Sequence, residues 1–318
     1  MKLSKNDFIL DLETWAKAYF LHISALNYSK NTILLYKRVI NEFIEYSLEF
    51  QDEMSIKHIK TAYIIAFLQF LEEKVCNNAK KLKNGYKLSK SSKSAYVKAI
   101  RSFFVFITEN NDENYTFDFA FKKIKLDNTK SEEKLIYLNE DEILRLSEYI
   151  ERQKAKKSDF LSYRNALLVK LMLHAGLRIS EALGVKLKDF SDQDEMYAIK
   201  ILAKGGKEQF AYIDKEKIAG DLEFLSSILD NEALIMQTKN HTPLNRTNAF
   251  AIINKIYEKS LISKKGLHLL RHTLAMRLTD RGVSPLVIQK ILRHSNINTT
   301  TIYAKATAKN VAEVLVGF

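Results

Sequence analysis

The 318-residue sequence predicts a mainly α-helical chain of two domains with one small antiparallel sheet. Three observations carry this reading. Apolar residues recur at helical spacing, as in DFILDLETWAKAYFLHISAL from residue 7. Only nine Gly and two Pro punctuate the chain, so loops are few and helices dominate. One stretch alternates as strands do: MYAIKILA and KEQFAYID, joined through Lys204-Gly205-Gly206-Lys207. Gly-Gly suits a tight turn that needs positive φ. The length exceeds one typical domain, so two are expected.

In chain order, an amphipathic helix is expected over residues 7–26. A second follows Ser29, capped by Ser29 or Asn31, and runs to Phe50. A third spans Ile56 to Val75 and a fourth Ser89 to Glu109. These four form an N-terminal module over residues 1–126. Its aromatic residues (Tyr19, Phe20, Phe43, Phe67, Phe70, Phe103, Phe104 and Phe106) fall mostly on apolar stripes and read as core. The segment DNTKSEEK, Asp127 to Lys134, is polar and without period, so residues 127–136 read as a linker.

The second domain, residues 137–318, opens with a helix capped by Asn139, then a helix over about 158–174. A turn at Gly176 delivers Arg178 to the start of a helix in ISEALGVKL. After the two strands, helices are expected at about 215–229, 246–259, 266–281, 284–293 and 308–315.

Charge narrows the partner. Fifty Lys and Arg against 38 Asp and Glu leave a net +12, which favours a polyanion. From Lys80 to Arg101 the chain carries eight basic residues and no acid: Lys80, Lys81, Lys83, Lys87, Lys90, Lys93, Lys98 and Arg101. A solvated helix face normally mixes its signs. Ser91 and its neighbours add short donors at the start of the fourth helix, where the dipole also favours a phosphate. These residues are the expected DNA-contacting set, to which Lys207 on the hairpin is added.

Other classes recede. No run of 18 uncharged apolar residues suggests a membrane span. The N-terminus, with acids inside its short apolar run, does not resemble a secretory signal. The single cysteine, Cys76, excludes an intramolecular disulfide and fits a reducing cytoplasm.

The chemistry concentrates in GLHLLRHTLAMRLTDRGVSPLVIQKILRHSNINTTTIY, residues 266–303. His268 and Arg271 lie three apart and share one helix face, where imidazole and guanidinium cradle a phosphate well. Leu292-Arg293-His294 is followed nine positions after the His by Tyr303, whose hydroxyl could attack phosphorus and leave a phosphotyrosine. A zinc site at His268 and His272 is disfavoured, because HLLRH lacks the Glu of a zinc protease helix and places Arg271 between them.

HLLRHTLAMRL, LRHSNINTTTIY and the upstream HAGLRISEALGVKLKDF together resemble the C-terminal boxes of the tyrosine recombinases, the phage integrase family. Within it the resemblance is to Xer-type chromosome dimer resolvases, in particular the single-recombinase XerH type. It implies a two-domain clamp: a four-helix, SAM-like core-binding domain and a mostly helical catalytic domain. Arg178 and Arg271 would hold the scissile phosphate, with Glu181 orienting Arg178. Lys204 would protonate the leaving 5′ oxygen, although Ala203-Lys204-Gly205-Gly206-Lys207 departs slightly from the family's hairpin. His268 would take the Tyr303 proton or hold a phosphate oxygen, and His294 would donate to the phosphate. His272 reads as structural. Arg293 stands where the family usually has Gly, which leaves open an extra DNA contact or an altered turn.

The resemblance implies no cofactor and no metal, because a phosphotyrosyl bond conserves the energy of the broken phosphodiester. The implied partners are double-stranded DNA with a dif-like recombination site, three further copies in a tetramer, and a septal DNA translocase. The apolar stripe Val311, Val314 and Leu315 would dock on a neighbouring copy. Other readings are a mobile-element integrase, a type IB topoisomerase and, from a different class, a non-catalytic DNA-binding regulator. The last has no need of Tyr303, Arg178 and Arg271 together.

Overall fold

The computed structural model describes residues 2–3, 7–50, 55–78, 88–119, 135–202, 206 and 208–293. The chain divides into two compact units, residues 1–132 and 133–318. The expected linker, 127–136, falls mostly outside the described residues.

In the first unit, α1 is Phe8–Ala25, α2 Lys30–Ser47, α3 Thr61–Asn78 and α4 Lys90–Asn110. Short side chains start three of them. Asp7 accepts from the Leu10 N–H, Ser29 from Thr32 and Ser89 from Ser92. Each satisfies one N–H that the first turn leaves without a partner. The core is aromatic: Trp15, Tyr19, Phe43, Phe67, Phe103 and Phe104 are all but fully buried. Phe43 meets Phe67 edge to face at 5.1 Å. Each such ring withdraws enough apolar surface to be worth roughly 1.5–3 kcal/mol.

One expected helix breaks. Ile56–His58 is a single 3₁₀ turn, and Ile59 is extended at ψ 118, so α3 begins only at Thr61. The extended residue buries its side chain in the core, and that packing outweighs continuation of the helix. At the other end, Asn111 closes α4 by donating to the Tyr115 carbonyl and accepting from the Tyr115 N–H, both at 2.8 Å.

The second unit is built around α6, Phe160–His174, on which Ala166, Leu167, Leu168, Val169, Leu171, Met172 and Leu173 are buried. A helix apolar on nearly all sides must be enclosed, and α5 (Glu140–Lys157), α8 (Lys215–Ser226), α9 (Arg246–Lys259) and α10 (Leu269–Asp280) pack on it. Asn139 and Glu142 form a reciprocal capping box at the start of α5. Asp221 of α8, 1% exposed, joins the layers by binding Lys154 of α5 at 2.5 Å and Lys170 of α6 at 2.6 Å.

The helix expected over ISEALGVKL is short: α7 is Ile179–Leu183. Val185 leaves it because its carbonyl accepts the Ile235 N–H, so tertiary pairing ends the helix. The sheet has three strands rather than two. β1 (Phe190–Gln193), β2 (Met196–Leu202) and β3 (Glu208–Asp214) are antiparallel in sequence order, with Ile199 opposite both Phe190 and Ala211. In the β2–β3 connection, Gly206 has the expected positive φ, +75. After α10, Ser284 and Pro285 open α11 (Pro285–Leu292). No helix among the described residues is long and apolar enough to cross a membrane.

Candidate active site

Arg178 reaches its place through a left-handed turn. Gly176 has φ +62, and a Cβ there would lie 2.8 Å from the Leu292 side chain. Glycine serves both the backbone conformation and the close approach of α11. Arg178 then caps α7. Its backbone N–H donates to Glu181 Oε2 at 2.8 Å, its Nη1 to Glu181 Oε1 at 2.7 Å and its Nη2 to the Arg293 carbonyl at 3.0 Å. The Arg178 side chain remains 36% exposed, whereas Glu181 is buried. Burial alone would raise the Glu181 pKa. The Arg178 N–H and the charges of Arg293 and Arg178 outweigh it and hold the carboxyl below its ordinary value.

Arg271, in the first turn of α10, is buried, with Nη1 on the Gly176 carbonyl and Nη2 on the Leu292 carbonyl. The latter is an end carbonyl of α11, which lacks a helical partner and carries the negative end of the dipole. Arg178 and Arg271 are thus both bonded to backbone atoms of residues 292–293, directly before His294. His268 lies at the N-cap of α10 rather than inside the expected helix, and it is exposed. Its helical φ and ψ keep it in step with Arg271. Desolvation, then the charges of Arg246, Arg271 and Arg178, lower its pKa. The ring is therefore neutral at neutral pH and able to accept a proton. His272, its ring 6.1 Å from that of His268, is half-buried.

Arg293 ends α11 at φ +54, the left-handed conformation that glycine usually supplies at a helix end. Its side chain, 5% exposed, turns inward, with Nη2 on Glu181 Oε2 and on the Gly176 carbonyl. The inward side chain is turned away from a DNA contact, and the backbone keeps the left-handed conformation that a glycine would take there. Sequence reasoning missed this role for Arg293, and also the Gly176 carbonyl as an acceptor shared by two guanidiniums. No local pattern announces either, since the partners come from 95 and 117 positions away.

His294, Tyr303, Lys204, Lys207, Lys80, Lys81, Lys83, Lys87 and the helix expected at 308–315 lie outside the described residues. In the first unit, Lys98 and Arg101 are exposed along α4. Ser91 shares a hydrogen bond with Ser89 at 3.0 Å, and Lys93 pairs with Glu72 of α3 at 2.7 Å. The acid absent from the basic run is thus supplied to Lys93 by another helix. Lys90 is the first residue of α4.

The phage integrase family's sequence pattern matches residues 137–310, more than half of the chain. The tyrosine recombinase XerH of Campylobacter jejuni is 30% identical over 223 residues, which cover 68% of this chain and 62% of that protein, less than two thirds of its length. The tyrosine recombinase XerC of Rickettsia canadensis is 29% identical over 301 residues, covering 91% of this chain and 90% of that protein. The crystal structure of XerH bound to palindromic difH substrate, a post-cleavage complex, shares the fold at a TM-score of 0.80 and 21% identity, over 99% of this chain and 98% of that one. By its match to the family pattern over residues 137–310 the chain belongs to the phage integrase family, and it is similar to tyrosine recombinases of the Xer type.

Proposed function

We propose that this recombinase cuts and rejoins DNA at a dif-like site through a 3′-phosphotyrosine on Tyr303 and a Holliday junction, and so resolves chromosome dimers. The observation that carries the catalytic assignment is the anchoring of Arg178 and Arg271 on the backbone of residues 292–293, next to His294, with His268 at the start of the helix that bears Arg271. In this reading the two guanidiniums bind the non-bridging oxygens of one phosphodiester. Charge fixed in advance is commonly the largest catalytic contribution, and removing one such donor costs about 10²–10³ in rate.

In the cleavage step the Tyr303 hydroxyl oxygen bonds to phosphorus and the P–O5′ bond breaks. The tyrosine proton passes to His268, and Lys204 gives a proton to the departing 5′ oxygen. His294 donates to a phosphate oxygen. The step is close to isoenergetic, so the opposing 5′-hydroxyl reseals the strand without ATP or metal, and direction comes from the assembly. Exchange needs two DNA sites together, hence a homotetramer joined by the C-terminal segment around Val311, Val314 and Leu315, with a septal DNA translocase as activator. The first unit, through Lys80 to Arg101, and Lys207 of the hairpin grip the backbone of the duplex in the bacterial cytoplasm. Support for the dif-like site comes from the XerH solved on palindromic difH, whose fold this chain shares.

The test is a plasmid carrying two directly repeated copies of the site this protein selects from a randomised duplex library. Two resolved circles, formed by wild type and not by Tyr303→Phe, are expected. Relaxation of a one-site plasmid without resolution of the two-site plasmid would instead favour a topoisomerase.

A further inference from the structure

Arg293 is expensive to keep where it is. It adopts φ +54, a conformation that strains a side chain with a Cβ and costs glycine almost nothing. Its guanidinium is buried and shares its one carboxylate, Glu181, with Arg178. Burial is also the main cause that lowers its pKa. Among the described residues its Nε is buried without a hydrogen-bond partner. Burying a charge this way opposes folding, and a helix end needs only glycine. Stability of the fold therefore does not account for the residue.

Its bonds point to one purpose. Nη1 donates to the Ile291 carbonyl at 2.8 Å, and Nη2 donates to the Gly176 carbonyl at 3.1 Å and to Glu181 Oε2 at 3.0 Å. Its own carbonyl accepts Arg178 Nη2 at 3.0 Å. Arg178 is held at three points: its N–H and Nη1 by Glu181, and its Nη2 by Arg293. The last acceptor is the Arg293 backbone carbonyl, and the Arg293 side chain ties that end of α11 to Gly176 and braces the carboxylate that supplies the other two. Lysine cannot reproduce that fork, because its three donors radiate from a single nitrogen.

We propose that Arg293 is a positioning residue for the recombination reaction: it locks Glu181 and the α11 terminus so that the Arg178 guanidinium meets the scissile phosphate in one fixed orientation. This rests on the reading of Arg178 as a ligand of that phosphate. Arg293 itself does not touch the DNA. Its removal should leave site affinity unchanged and slow the chemical step, since misplacing a catalytic group by about 1 Å can cost ~10²-fold in rate.

The test is a double-mutant cycle on the full-length protein, read as single-turnover cleavage of a nicked duplex carrying the selected site, with site affinity and thermal unfolding measured alongside. The variants are Arg293→Gly, Arg178→Lys and the double variant. Glycine relieves the positive φ, and Arg293→Lys replaces it in the cycle if the glycine variant unfolds below the assay temperature. The expected result is cleavage slowed roughly tenfold to a hundredfold by Arg293→Gly, at unchanged site affinity, with no further loss when Arg178 is already Lys. Cleavage at the wild-type rate, or an equal fold-loss in both backgrounds, overturns the proposal. Arg178→Lys cleaving as fast as wild type overturns the phosphate-ligand reading instead.

Discussion

Arg178 donates from Nη2 to the backbone carbonyl of Arg293 at 3.0 Å, across 115 positions of sequence. The residue that opens α7 and the residue that closes α11 are thereby fixed to one another, and His294 follows at once. A second contact, from Arg271 to the Leu292 carbonyl, secures the same end of α11. The two guanidiniums and the end of α11 are one structural unit.

Glu181 is the negative centre of that unit. Glu181→Gln removes the charge between two guanidiniums, and breaking a buried pair from one side costs about 3–5 kcal/mol. The loss should appear in urea unfolding at pH 7 and vanish in acid. The sign follows from the lowered pKa: the contribution is present above the unfolded carboxyl value, about 4.3, and is lost as pH falls through the folded one.

His174 sets a second, distinct pH dependence. Burial, then the charges of Lys217, Arg277 and Lys170, push its pKa down to about 4. Between an unfolded value of about 6.5 and that folded value, only the unfolded chain binds the proton, so stability falls as pH drops through this window. The shift corresponds to about 3 kcal/mol at most. Urea unfolding of wild type and His174→Gln at pH 7 and pH 4.5 checks it. The variant should be flatter over this range by most of that amount.

Gly176→Ala forces a Cβ against Leu292 at a positive φ. Backbone strain alone costs about 1–2 kcal/mol, and the ends of the Leu292 and Leu274 side chains, 2.8 and 3.0 Å from that Cβ, must also give way. A drop in melting temperature together with slower cleavage is expected. An unchanged cleavage rate would separate the turn from the site.

His268 is neutral at pH 7, its pKa lowered by desolvation and three arginines. Single-turnover cleavage should be full at neutral pH and decline only in acid, as the ring gains its proton. His268→Asn should cleave far more slowly and lose that acid limb. A wild-type rate that falls above pH 7 would mean a base with an ordinary or raised pKa.

Much of this was legible in the sequence, and the exceptions share a cause. Ser29 and Asn139 cap helices as expected, because capping is a local contest for the first N–H groups. Arg178, Glu181, His268 and Arg271 were marked by their boxes. The strand Phe190–Gln193 was missed because FSDQ shows no alternation and pairs only because β2 lies beside it. The break at Ile59 and the end of α7 at Leu183 were decided by long-range packing and by the Val185–Ile235 bond. Arg293 was recognisable as a departure at its position, but its burial depends on Glu181 and Gly176, more than 100 residues earlier.

The central claim is that Tyr303 bonds covalently to DNA phosphorus. A nicked suicide duplex carrying the selected site, incubated in EDTA with wild type and with Tyr303→Phe, tests it directly. A protein–DNA adduct at the 3′ phosphate is expected with wild type and none with Tyr303→Phe. An adduct formed equally by Tyr303→Phe would show a different nucleophile, and tight binding of the site by both proteins without any adduct would contradict the enzyme mechanism.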